Sequence, residues 1–229
     1  MTPLLRRMAL ITALAMAGSG AAVRAGVYDE IMMAVKRDDA AAVIALVDRG
    51  MDVNTVDAEG TSLLMYAARH GDRSLVEFLL ARRANLAQRN RFGDSAVLLA
   101  ALAGDVPVLQ RLLDAGAELN PPSGWTPLLY ASFEGRIDAI KFLLGRGARI
   151  DARSASGLTA LMLAARGGHG DAVPLLLEHG ADATLADQNG VTAAEFAARG
   201  GHEDMARLIR DHAAARQAAD AAAAGKAGR

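Results

Sequence analysis

The 229-residue chain has no cysteine, which removes a disulfide scaffold, a thiolate zinc site and a lipid-anchored cysteine. Neither sign of charge dominates: 25 basic residues face 26 acidic ones, for a formal net charge of −1. That balance carries no electrostatic footprint for nucleic acid. Apolar runs are short, and the leading candidate, Met8 to Met16, falls well below the ~20 residues a membrane-spanning helix needs. There is no strand-to-helix G-x-x-x-x-G-K-S/T loop for phosphate. No pairing of histidine with serine or aspartate recurs with catalytic logic. Aromatic residues are only 4% of the chain, so any that gather in one place stand out.

What the chain does have is a glycine frame. It returns at Gly60, Gly93, Gly124, Gly157 and Gly190, at intervals of 33, 31, 33 and 33. A second glycine follows eleven residues after each, at Gly71, Gly104, Gly135, Gly168 and Gly201. A period near 33 means a stacked array of small units rather than a single-core globule.

The fourth unit shows the physics of one copy. Thr126 is placed to cap a helix, and Pro127 suits the first helical position, where an N–H would be unpaired anyway. Leu128, Leu129, Ala131 and Ser132 continue a short helix that ends at Gly135. Small residues recur on this first helix, as Ala67 and Ala68, Ala100 and Ala101, Ala131, Ala164 and Ala165, and Ala197 and Ala198, so neighbouring backbones can come close. A second helix from about Asp138 to Gly145 turns Ile140, Leu143 and Leu144 to one face and stops at Gly147. Two helices of this length cannot bury their apolar faces alone and must stack on neighbours.

Thr126-Pro127-Leu128-Leu129-Tyr130-Ala131 resembles the T-P-L-H-x-A signature of ankyrin repeats, and Gly180-Ala181-Asp182 resembles their later G-A-D element. The resemblance covers roughly residues 26–212, about six repeats including caps. It implies an all-α repeat fold, an ankyrin solenoid of helix-turn-helix units joined by β-hairpin loops. It also implies protein binding rather than catalysis, with no cofactor and no metal. The signature histidine is missing throughout, with Met65, Leu98, Leu129, Met162 and Glu195 in its place. Apolar packing must therefore stand in for the family's threonine–histidine network.

Ahead of the array, Met1 to Ala25 carries Arg6 and Arg7, the apolar run, and small residues ending in Val23-Arg24-Ala25. That is the layout of a secretory signal peptide cleaved after Ala25. The paired arginines also admit a twin-arginine route. Loss of Arg6, Arg7 and Arg24 leaves 22 basic against 26 acidic residues. The expected location is periplasmic or secreted, and the expected state is a monomer with no membrane span.

Local departures from the frame are informative. Asp38-Asp39 replace the glycine turn in a polar N-terminal cap, and Arg83 stands where a helix-stopping glycine belongs. A non-glycine residue in the left-handed region costs roughly 1 kcal/mol or more, so a slightly altered turn is expected there rather than a strained Arg83. The link Asn120-Pro121-Pro122-Ser123-Gly124 is two residues short, and Pro174 should delay its helix, with Asp171 as the cap. Ala213 to Arg229 is alanine-rich with no apolar face, and is expected to be a fraying helical extension that passes into a disordered tail. His169 with His202, and His179 with His212, are repeat-pattern residues 33 apart rather than metal ligands.

The resemblance places partner contacts on hairpin tips and on the exposed side of the first helices. The residues there form an aromatic and apolar centre, Phe92, Leu102, Trp125 and Phe133, flanked by Arg69, Arg91, Arg166 and Arg199. Aromatic anchors inside a polar rim are the pattern of a binding hot spot. An alternative has Phe92 and Trp125 packing adjacent hairpins together. Two further functional readings stay open: a dedicated accessory or stabilising partner of an exported enzyme, and a small-ligand binder using the arginine rim.

Overall fold

The computed structural model describes residues 26–122 and 124–227, so residues 1–25, with the expected signal peptide, Ser123 and residues 228–229 lie outside the described residues. The fold is all-α. The helices are α1 (26–36), α2 (Ala40–Asp48), α3 (Leu63–His70), α4 (Arg73–Ala81), α5 (Ala96–Ala103), α6 (Val106–Asp114), α7 (Pro127–Phe133), α8 (Ile137–Gly145), α9 (Ala160–Arg166), α10 (Ala172–Glu178), α11 (Ala193–Arg199) and α12 (Glu203–Ala227). Odd-numbered helices from α3 to α11 stack in one row, and even-numbered helices from α2 to α12 in another. The connecting hairpins are minimal: isolated antiparallel bridges join Val56 to Ser62 and Ala186 to Thr192, with no strand among the described residues.

Capping chemistry starts most of the helices. The side chains of Ser62, Thr126, Thr159 and Thr192 each accept the N–H three residues on, at Met65, Leu129, Met162 and Glu195. Where the signature histidine is replaced, Met65, Leu98, Leu129 and Met162 are buried. Glu195 instead closes a true capping box, its Oε2 accepting the Thr192 N–H at 2.7 Å. Asp39, Asp72 and Asp105 cap α2, α4 and α6 in the same manner. Asp171 does not. It precedes α10, which starts late as Pro174 requires, but its backbone is already helical (φ −86°, ψ −28°) and its side chain makes no capping bond. A capping residue needs the extended region to aim its oxygen at the helix.

The core repeats with the frame. Leu79, Leu112, Leu143 and Leu176 occupy one register on the second helices and are fully buried, each stabilising the array by about 2 kcal/mol. Ala67, Ala68, Ala100, Ala101, Ala131, Ala164, Ala165 and Ala197 are likewise buried and leave room for neighbouring first helices. The second helices end identically. The N–H of Gly116, Gly147 and Gly180 bonds to Leu113, Leu144 and Leu177, and the next alanine's N–H bonds to Leu112, Leu143 and Leu176. Arg83 makes the same pair of bonds, to Leu80 from its own N–H and to Leu79 from that of Ala84, and holds φ at 62° to do so. Arginine here is forced into a glycine conformation rather than altering the turn.

Successive repeats are stapled by side chains. The Oδ1 atoms of Asn54, Asn120 and Asp151 accept the N–H of Asn85, Arg149 and Asp182 in the following unit. Ala87 holds this register in the second repeat and has no oxygen to offer. A cavity of about 150 Å³ opens there, lined by Leu86, Ala87, Leu98, Ala117 and Pro121 among others. The second glycine of a unit also makes room for the next unit at several positions. A Cβ on Gly135 would lie 2.5 Å from His169 Nδ1, because the next repeat's side chain fills that space. Gly104 receives Arg136 in the same way, and Gly168 receives His202.

Candidate partner-binding face

Five residues occupy one register in the last turn of the first helices: Arg69, Leu102, Phe133, Arg166 and Arg199. Leu102 is half-buried and the other four are exposed. Because α3, α5, α7, α9 and α11 stack directly, these residues form a single row with one member per repeat. Cations at this end of a helix also sit favourably against its dipole.

The centre of the row is aromatic. Trp125 is half-buried, with its ring 4.9 Å from that of Tyr130 and 6.1 Å from that of Phe133, the latter at an interplanar angle of 88°. Edge-to-face contact at such a distance is favourable. Trp125 thus packs on the first helix of its own repeat, and Phe133 keeps 40% of its surface exposed. The Arg166 guanidinium stands 5.7 Å from the Phe133 ring centre. His169 Nε2–H donates to the Phe133 carbonyl at 2.8 Å, so the fifth repeat holds the end of the helix that presents this ring.

Phe92 and Arg91 are placed differently. Asn90 Oδ1 accepts the N–H of Phe92 and of Asp94, a turn that Asp57 and Asp187 also make at their own tips. Phe92 projects from this turn with 67% of its surface exposed, its ring under the Arg91 guanidinium at 4.8 Å. Arg91 also pairs with Glu59 at 3.3 Å. Among the described residues no ring contact joins Phe92 to the Trp125 cluster. The fourth hairpin lacks the side-chain turn because Pro121 occupies the position, and Arg149 Nη2 bonds to the Pro121 carbonyl instead. The ring contacts of Trp125 are with Tyr130 and Phe133 of its own repeat and that of Phe92 is with Arg91, rather than between the two hairpins.

Two tyrosines not singled out in the sequence anchor the tips to the helices. Tyr130 donates its hydroxyl to Asp94 of the preceding hairpin, and Tyr66 donates to Asp57 at 2.8 Å. Burial, then the bond to Asp57 and its charge, push the Tyr66 hydroxyl up to about 12. Burial and the Asp94 bond raise Tyr130 as well. Burial would raise Asp57, but the N–H of Thr61, the Tyr66 hydroxyl, the N–H of Glu59 and the Lys36 charge together hold it below the usual aspartate range. The visible signal was a tyrosine six residues after the frame glycine in both the second and fourth repeats.

Two histidines serve the backbone, while His70 Nδ1 lies 3.2 Å from Asp38 Oδ1. His169 bonds to Phe133, and His179 Nδ1 lies 2.8 Å from the Leu175 carbonyl. Among the described residues no cluster of three or more histidines and carboxylates could hold a metal. No described helix is long and apolar enough to cross a membrane.

Stacked helix pairs presenting one outward row define a linear helical repeat array. The family model described as ankyrin repeats (3 copies) matches residues 11–90, 64–154 and 150–220. The chain belongs to the ankyrin repeat family. It is 34% identical over 115 residues to an ankyrin repeat protein of Rickettsia bellii, covering 46% of this chain and 32% of that protein. It is 40% identical over 95 residues to ankyrin repeat and SAM domain-containing protein 6 of Mus musculus, 40% of this chain and 11% of that protein. Similarity extends to a glycerophosphocholine phosphodiesterase of Candida albicans, 30% identical over 110 residues, 46% of this chain and 10% of that protein. The chain thus spans a third or less of the length of these relatives.

Proposed function

We propose that this chain is a non-catalytic scaffold that binds a partner protein across the row of first-helix ends, with Trp125 and Phe133 as anchors. Ankyrin repeats generally mediate protein–protein interaction. The observation that carries the reading is the Trp125–Phe133–Arg166 cluster, an exposed aromatic edge with a cation above it in a chain otherwise poor in aromatics. Arg69, Arg166 and Arg199 make no ion pair among the described residues, whereas Arg73, Arg82, Arg91, Arg111 and Arg146 are all paired. Exposed aromatic and arginine side chains are the residues that dominate binding hot spots. The protein acts as a monomer outside the cytoplasm, exported by residues 1–25.

The test is co-purification from the native compartment with the mature chain and with a Trp125→Ala/Phe133→Ala variant, both shown to be folded by circular dichroism. A stoichiometric client held by the first and lost by the second supports the reading. An identical catch from both refutes the site. Mass spectrometry of the mature N-terminus checks export, and a chain that still begins at Met1 overturns it.

A further inference from the structure

We infer that the partner element is an extended segment in polyproline II conformation, with apolar, apolar, acidic and acidic side chains at every third position. This rests on the proposed binding role of the row and adds the shape and chemistry of what fills it. Leu102, Phe133, Arg166 and Arg199 follow one another along the row, one per stacked helix. Packed helix axes lie about 8–10 Å apart, so the three steps span about 24–30 Å.

The conformations open to a bound segment differ in how they match that spacing. A β-strand sends residues i and i+3 to opposite faces, so it cannot address successive positions at that interval. An α-helix returns to the same face every seven residues, about 10.5 Å a step, and overshoots to about 32 Å over three steps. Polyproline II has three residues per turn at about 3.1 Å each, so positions i, i+3, i+6 and i+9 share a face and span about 28 Å. Only the last lies inside the range set by the helices.

Charge fixes the order of the side chains. Arg166 and Arg199 have no carboxylate within ion-pair distance among the described residues. Asp187 and Glu195, whose charges reach Arg199, bond to the N–H groups of Asn189 and Val191 and of Thr192 and form no ion pair with it. Two acidic side chains one turn apart on the partner would meet these guanidinium groups, while Leu102 and the Trp125–Phe133 edge take the apolar pair.

The experiment uses two labelled peptides, Leu-Pro-Pro-Leu-Pro-Pro-Glu-Pro-Pro-Glu and its reversed sequence, since either chain direction presents the same face. Fluorescence anisotropy measures their binding to the mature protein and to Arg166→Gln and Arg199→Gln, exposed variants whose folding is checked by thermal melting. One peptide is expected to bind, to weaken about fivefold with each variant, and to weaken further with added salt. A helical peptide with the same four residues at heptad spacing is expected to bind more weakly. The inference is overturned if neither proline peptide binds, if the helical peptide binds as tightly, or if both variants bind unchanged. A client lost by Trp125→Ala/Phe133→Ala while neither proline peptide binds would leave the binding face standing and refute only the segment geometry.

Discussion

Replacing Gly135 by alanine separates two reasons for a glycine that sequence patterns always confound. The first is conformational, since Gly135 has φ 65°. The net cost of alanine there, after its smaller loss of backbone entropy on folding, is about 0.5–1 kcal/mol. The second is spatial. A Cβ would sit 2.5 Å from Nδ1 and 2.6 Å from Cγ of His169, so the imidazole must move and give up its bond to the Phe133 carbonyl. That bond is worth about 1 kcal/mol. Gly135→Ala should therefore cost roughly 1.5–2 kcal/mol in the wild-type background, and only about 0.5–1 kcal/mol when His169 is already alanine. The coupling, about 1 kcal/mol, is read from urea midpoints of the four proteins in the double-mutant cycle. In thermal melts each kcal/mol corresponds to about 2–4 °C for a domain of this size. An equal cost of Gly135→Ala in both backgrounds would refute the spatial half and leave the glycine there for its dihedral alone.

Arg83→Gly should stabilise the array by roughly 0.5–1 kcal/mol, because it relieves the positive φ without touching the helix-end bonds; a lower denaturation midpoint would contradict this. Ser132→Ala should stabilise by about 1 kcal/mol, since the buried Ser132 hydroxyl has no partner among the described residues and the same register elsewhere holds Ala68, Ala101, Ala165 and Ala198. A loss of stability would mean that the hydroxyl has a partner after all. The depressed Asp57 carboxyl favours the folded state above its unfolded value near about 4, and that contribution disappears as pH falls through the lower folded value. Asp57→Asn should then flatten stability against pH below about pH 4 and leave the slope between pH 6 and about pH 8 unchanged; an unaltered acid limb would exclude this carboxyl as a source of it.

The fold was legible because its determinants are local and repeated. Glycine spacing marks every turn, and Thr126-Pro127 or Ser62 marks where a helix begins. The departure at Arg83 was visible but its outcome was not: an altered turn was expected, whereas the flanking helix-end bonds hold the turn and put the arginine at φ 62°. The row of Arg69, Leu102, Phe133, Arg166 and Arg199 followed from register alone. Contacts between units were less visible. Trp125 looked free to lean on a neighbouring hairpin, and only the packed chain shows Tyr130 beneath it. The register of Tyr66 and Tyr130 was visible, but not that Tyr130 reaches Asp94 of the preceding hairpin while Tyr66 bonds to Asp57 of its own. Asp171 failed as a cap for a different reason: composition names the right residue type, but the local dihedral decides whether its oxygen can reach the helix.

The row also separates the side chains proposed for recognition from those that keep the array folded. Each outward residue follows a small, mostly buried neighbour, as Arg69 follows Ala68, Leu102 follows Ala101 and Arg166 follows Ala165. Exchanging one row residue changes a single position in the reading frame offered to a partner, while the layer behind it carries the stacking. Such a surface can drift from one client to another through successive single substitutions, each near neutral for stability, without the array ever passing through an unfolded ancestor.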